Sequence, residues 1–215
     1  MDQLLEQLKR FKFILGSSSP RRREILETNL GICQIEVIPS EFPENISKDN
    51  ITSQQYVTET CQNKTDSIIN RIQENRINLN QSSNVILLCS DTIIDCNSQI
   101  FEKPKTKQRQ KQMFDDYRKQ GSIKVITAVT VTKFENGSVI TELGLEVTIL
   151  YFNEKIPNSF IESYIESEEG LNVAGGFKYQ EKGCLLFNRI EGDYFNIVGL
   201  PVWKTFELLQ KTLTN

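Results

Sequence analysis

Between residues 16 and 26 the chain reads GSSSPRRREIL, three hydroxyls, a proline and three guanidinium groups directly after the apolar run FKFIL. A strand that ends in serines and restarts as a helix at proline presents unpaired backbone N–H groups. Ser19 is the natural N-cap and Pro20 suits the first helical position. Those amides and the helix dipole attract an anion. Arg21, Arg22 and Arg23 add positive charge in a fork geometry that matches phosphate oxygens. Cations at that end oppose the dipole by roughly 0.3–1 kcal/mol each. Stability alone therefore favours Asp or Glu there, and an anionic ligand accounts for the arginines. The alternative is a solvated cluster paired with Glu24 and Glu27. The stretch lacks GxxxxGK and GxGxxG, so it is neither a Walker loop nor a dinucleotide fingerprint.

The second chemical feature is Asp91, set inside the apolar run VILLCSDTII (85–94). A carboxylate there is costly unless it is paired, binds a metal or sits at an exposed strand end; a structural turn cap is the alternative. Glu41 and Glu44 follow the second expected strand and can converge with it, although loop glutamates are usually only solvated. Lys103 precedes Pro104 on a rigid turn, and Lys64 lies on a long helix whose lysines would ordinarily face solvent. Arg, Ser and Lys on one side with Asp and Glu on the other are the parts for phosphoryl or nucleotidyl hydrolysis assisted by magnesium.

The bulk composition limits the other choices. The chain of 215 residues has no histidine, which excludes Ser-His-Asp and Cys-His catalysis and His-ligated zinc or haem. Five cysteines without a CxxC pair read as reduced core residues of a cytoplasmic protein. A net charge of −3 gives no general attraction to nucleic acid or membrane. The basic stretch 103–111 lacks interleaved aromatics and reads as a solvated helix face rather than a nucleic-acid surface. No apolar run approaches membrane-spanning length.

The elements that must position these groups follow from periodicity. Strands are expected over 11–15, 33–40, 85–94, 122–134 and 138–152, the last two joined at Asn136-Gly137, a strong hairpin signal. CLLFNRI (184–190) and YFNIVG (194–199) also read as strands. Helices are expected from Pro20 to about Leu30, from Thr52 to about Leu79, after Thr106 with Met113, Phe114 and Tyr117 facing inward, after Pro157, and over PVWKTFELLQKTL (201–213). Residues 1–10 form an amphipathic N-terminal extension with Leu4, Leu5 and Leu8 on one face. The sum is one α/β domain, 1–215, with a long mixed sheet.

Taken in order, the motifs resemble those of the Maf-type nucleoside triphosphate pyrophosphatases. Ser17-Ser18-Ser19-Pro20-Arg21-Arg22 resembles the family's S-x-S-P-R-R, Ile38-Pro39-Ser40 with Glu44 its acidic loop, and Tyr56-Val57 through Lys64 its Y-V…A-x-x-K-A helix. Ser90-Asp91-Thr92, Glu102-Lys103-Pro104, Thr127-Ala128-Val129, Ala174-Gly175-Gly176-Phe177 with Gln180, and Val198-Gly199-Leu200-Pro201 continue the series over about residues 11–210. The resemblance implies a long curved mixed β-sheet with flanking helices, two lobes around a cleft. It implies hydrolysis of a nucleoside triphosphate to monophosphate and diphosphate with Mg²⁺ or Mn²⁺, no nucleic-acid or membrane partner, and allows for a homodimer.

Carried over by position, the resemblance implies Asp91 as proton acceptor. It implies Ser17, Ser19, Arg21, Arg22, Lys64 and Lys103 at the phosphates, and Glu44 with Asp91 at the metal. Arg21, Thr92 and Gln180 fall where branches of the family differ. Together they resemble the branch acting on dTTP and UTP, where the 7-methyl-GTP branch typically has Trp, Gln and Glu. The chain departs from the pattern at Asn172-Val173, where the family has Asp-Lys, and Phe177-Lys178 is closer to the methyl-GTP branch. A nucleotide sensor that keeps the pocket without turnover is the competing reading, and Asn172-Val173 favours it.

Overall fold

The parallel part of the sheet is built on β1 (Lys12–Leu15), a four-residue strand that is apolar from Phe13 onward. The computed structural model describes residues 2–43, 45–74, 76–77 and 84–214. Among the described residues, seven strands form one mixed sheet in the order β2-β1-β3-β5-β6-β7, with β4 also on β3. β1 pairs in parallel with β2 (Ile35–Val37) on one side and β3 (Val85–Cys96) on the other. The chain leaves β1 through helix α2 (Pro20–Asn29) to β2, then returns through α3 (Ser53–Gln73) to β3. α2 packs on one face of the sheet with α1 (Asp2–Leu8) and α7 (Val202–Thr214), and α3 packs on the opposite face. The direction of winding reverses at β1, and open α/β sheets hold their ligands in the crevice beyond the strand ends at such a point.

The rest of the sheet is antiparallel. β5 (Ser122–Glu135) follows β3 from Val85↔Phe134 to Asp95↔Lys124. β6 (Ser138–Phe152) follows β5 along its whole length. The turn between them carries Asn136 at φ 52° and Gly137 at φ 79°, the left-handed pair that a two-residue hairpin needs. β4 (Gln99–Phe101) folds back on the end of β3, and β7 (Phe187–Glu191) closes the far edge. The far half of the sheet is covered by α4 (Lys107–Gln120) and α5 (Asn158–Glu166), whose core includes Met113, Phe114, Tyr117 and Tyr164. Thr106 caps α4 and Gly121, at φ 75°, ends it. Thr52 and Gln55 form a full capping box on α3.

β3 is twelve residues long, but β1 covers only its first four, Val85–Leu88, and β4 only Ile94–Cys96. β5 occupies the other edge throughout. The edge from Cys89 to Ile93 therefore has no strand partner on the β1 side among the described residues. Asp91 sits in the middle of that gap. It shares a face with Cys89 and Ile93, which pack with α3, whereas Ser90 and Thr92 point to the other face.

One expected element is corrected. YFNIVG is not a strand: Tyr194–Val198 is a short helix, α6. Asp193 caps it, accepting from the Phe195 N–H at 2.7 Å, and Gly199, at φ 120°, ends it. Asn196 is fully buried and donates to Val125 O and Thr148 Oγ1, both at 3.0 Å, which fixes the turn against the sheet. Likewise CLLFNRI is extended only from Phe187, since Lys182–Leu186 is a 3-10 turn. The helix expected to about Leu79 ends at Gln73, and Leu79 lies outside the described residues. α1, the expected amphipathic extension, buries Leu4 and Leu8 beside Leu26 and Leu30. No helix among the described residues is long and apolar enough to cross a membrane.

Two predictions follow from this packing. A Cβ on Gly16 would stand 2.3 Å from Cys89 Sγ and 2.8 Å from Ile68 Cδ1. Gly16→Ala should cost about 1–3 kcal/mol by overpacking, read as a lower urea midpoint. Burial pushes the Cys61 thiol up to about 12 and Cys89 up to about 11, whereas Cys33 is exposed. Iodoacetamide at mildly alkaline pH should label Cys33 in the folded chain and reach Cys61 and Cys89 only after denaturation.

Candidate active site

The gap in the edge of β3 opens into a cleft of about 770 Å³. Its walls include the 16–22 turn, Lys64, Ser90–Ile94, Glu102, Lys103 and the 172–180 loop. The cleft thus gathers in one place groups that are far apart in sequence.

The positive wall is the start of α2. Ser19 holds the N-cap position with φ −69° and ψ 116°, but its side chain makes no capping hydrogen bond. Ser17 instead accepts from the Ser19 N–H at 3.2 Å and from Arg22 Nη1 at 3.1 Å. The first turn of α2 is left without a side-chain cap or an acidic residue, the condition that favours an external anion.

Arg21 and Arg22 divide the work. Arg22 faces inward and binds protein: Nε to Gly199 O at 2.8 Å, Nη1 to Ser90 O at 2.7 Å, Nη2 to Thr92 Oγ1 at 3.1 Å. It fills the open edge of β3 by taking the Ser90 carbonyl, and it ties α2, β3 and the 199 turn together. Arg21 uses only Nε, donating to Val198 O at 3.3 Å. Its terminal nitrogens have no protein acceptor among the described residues, and the residue lines the cleft. Burial first, then the neighbouring Arg22 charge, lower its pKa from the ordinary arginine value, so an anion there relieves both desolvation and repulsion.

Across the cleft Asp91 Oδ1 accepts from Lys64 Nζ at 2.7 Å, with the two side chains only 12% and 11% exposed. Both were expected as separate ligands, of water or metal and of phosphate; the structure makes them a pair. Asp91 Oδ2 has no donor among the described residues. Lys103 is exposed on the cleft rim and without an ion pair among the described residues. Thr92 Oγ1 meets Arg22 and Thr127 Oγ1, at 3.1 and 3.0 Å, and Gln180 is an exposed residue of the opposite wall. Apolar lining comes from Ile94, Val125, Val173 and Phe177. Glu44 lies outside the described residues.

Sequence reasoning missed Glu102 as more than a motif neighbour. It lines the cleft, accepts from Tyr56 Oη at 3.0 Å and pairs with Lys48. Its place directly before Lys103 on the same turn was the available signal. Among the described residues no three acidic, Cys or His groups form a ready metal cluster. A single carboxylate, with one oxygen that has no donor among the described residues, opposite a basic wall nevertheless fits a magnesium ion that would take its remaining ligands from an anionic ligand and water.

The model of the Maf-like protein family matches residues 12–212. The chain is 40% identical over 210 residues to the dTTP/UTP pyrophosphatase of Saccharomyces cerevisiae, covering 92% of this chain and 89% of the relative. It is 34% identical over 214 residues to the dTTP/UTP pyrophosphatase of Schizosaccharomyces pombe, covering 96% and 86%. It is 32% identical over 201 residues to that of a Thermoanaerobacter species, covering 93% and 96%.

The buried ion pair is testable by itself. Lys64→Met strands the Asp91 carboxylate and should destabilise the chain by about 3 kcal/mol, a fall in Tm of roughly 6–12 °C. Lys64→Met with Asp91→Leu should recover part of that loss in thermal unfolding, because the Asp91 charge is removed together with the ammonium that pairs with it.

Proposed function

We propose a function from one premise: the chain belongs to the Maf-like protein family, and its relatives are named dTTP/UTP pyrophosphatases. The chain hydrolyses dTTP or UTP, or modified pyrimidine nucleotides, to the monophosphate and diphosphate, clearing such nucleotides from the cytoplasmic pool. The observation that carries this reading is one cleft holding an uncapped, arginine-rich helix start on one wall and a Lys64-braced carboxylate on the other.

The residues divide the reaction as follows. The triphosphate tail docks on the first turn of α2, with Arg21 and Ser19 beside it and Lys103 reaching from the rim. Arg22 and Ser17 hold that turn in place rather than meeting the phosphates directly. Lys64 fixes the Asp91 carboxylate and leaves Oδ2 as the proton acceptor. A water attacks the α-phosphorus, its proton passes to Asp91, and the bond to the bridging oxygen breaks with diphosphate leaving. Asp91, with Glu44, would hold a divalent cation, Mg²⁺ or Mn²⁺, which when bound neutralises phosphate charge and acts as a Lewis acid. At the other end, Thr92 and Gln180 supply polar contacts to the base and sugar, and Phe177 an apolar surface.

A second reading has one observation in its favour. At Asn172 and Val173 the cleft wall bears no charge, and Val173 is buried. A nucleotide sensor would bind there without turnover. Diphosphate release from dTTP, UTP, GTP and 7-methyl-GTP, with Mg²⁺ and with Mn²⁺, separates the two, since a sensor binds and releases none.

Asp91→Asn keeps an oxygen for Lys64 but removes the base. Its kcat for UTP should fall at least about 100-fold, within the range of positioned general-base catalysis, with KM near that of the wild type. A variant with undiminished kcat would take Asp91 out of the reaction.

A further inference from the structure

The 172–180 loop supplies Val173, Ala174, Phe177, Lys178 and Gln180 to the cleft wall. Its only regular element is the 3-10 turn Ala174–Gly176. Its backbone turns twice through the left-handed region, at φ 73° for Gly175 and 79° for Gly176, a region other residues avoid. A short segment of this kind has many conformations of similar energy unless contacts from outside select one.

Three side chains make that selection, and none of them lines the cleft. Tyr117 on α4 donates from Oη to Gly175 O at 3.1 Å. Gln110, two turns earlier on the same helix face, donates from Nε2 to Gly176 O at 2.6 Å. Tyr164 on α5 accepts the Lys178 N–H at Oη, 3.0 Å away. Gln110 and Tyr117 are 0% exposed and Tyr164 is 2% exposed. The Gly175 N–H is taken by Glu102 O at 3.0 Å. Backbone groups of residues 175, 176 and 178 are thus each held by one buried side chain. Phe177 lies between them, packed on Phe187 with ring centroids 4.6 Å apart.

A core role would require the ring of Tyr117 but not its hydroxyl, and an apolar residue would fill the place of Gln110 without the cost of burying an amide. We infer that Gln110, Tyr117 and Tyr164 are positioning residues for base recognition, holding residues 175–178 in the one conformation that sets Phe177, Lys178 and Gln180 against the nucleoside. They touch no substrate themselves. The inference rests on the reading of the cleft as a nucleoside triphosphate site.

The test uses the full chain with Tyr117→Phe, which keeps the ring, and Gln110→Met, which keeps the volume. In each, KM for UTP should rise about tenfold, the scale of one lost buried hydrogen bond, kcat should stay about unchanged, and the preference for UTP over GTP should narrow. Thr205→Val removes a buried 2.7 Å bond from Thr205 on α7 to Pro201 O, outside the cleft, and should lower Tm without moving KM. Amide hydrogen exchange should quicken across 173–180 in Tyr117→Phe and Gln110→Met and stay unchanged there in Thr205→Val. Unaltered KM and unaltered loop exchange alongside a lower Tm would overturn the inference and leave only a structural role. If the wild type releases no diphosphate from any triphosphate, the activity reading fails; UTP affinity by calorimetry and the loop exchange still decide the inference.

Discussion

The ion pair between Lys64 and Asp91 is the interaction on which the site depends. A carboxylate in the middle of an apolar strand is tolerable only because an ammonium from α3 reaches it at 2.7 Å. The sheet makes room for the site: β1 stops after four residues, so β3 has an open edge beside the cleft that Asp91 and Lys64 line. A longer β1 would pair that edge and take the Ser90 carbonyl that Arg22 now holds.

The same logic explains the three arginines. A helix start stripped of its side-chain cap and given positive charge is poorly suited to stability and well suited to an anion. Arg22 offsets part of the strain by satisfying carbonyls of β3 and of the 199 turn. Arg23 pairs along its own helix with Glu27 at 2.7 Å, as a solvated cluster would. Arg21 lines the cleft with terminal nitrogens that have no acceptor among the described residues, and its pKa is lowered by burial and by Arg22. Three adjacent residues of one type thus have three different surroundings: one ties elements together, one pairs along its helix and one lines the cleft.

Much of this was legible in the sequence. The 3.6 and 2.0 periodicities gave the principal helices and long strands, Asn136-Gly137 gave the hairpin, and the order of motifs gave Ser17, Ser19, Arg21, Arg22, Lys64, Asp91, Thr92, Lys103 and Gln180, which line one cleft. Less legible was direction. Nothing in S-P-R-R says which guanidinium turns inward, since that depends on carbonyls at Ser90 and Gly199, far away in sequence. Lys64 reads as an ordinary helix lysine until α3 is laid over β3. YFNIVG has strand composition, yet a cap at Asp193 and the burial of Asn196 make it helical, a case of tertiary context overriding propensity. Tyr117 was legible as core, but its hydroxyl contact to Gly175 was not, because periodicity reports which face is buried and says nothing of what a polar atom on that face meets.

The account is tested most directly by a crystal structure of the chain with a UTP analogue whose α,β-bridging oxygen is replaced by an NH group. It predicts the triphosphate against the first turn of α2 with Arg21 on a phosphate oxygen, the α-phosphorus facing Asp91 across one water, the Lys64 contact intact, and the uracil between Thr92 and Phe177. An analogue bound with its base at the arginine turn, or with its phosphates away from Asp91, would contradict it.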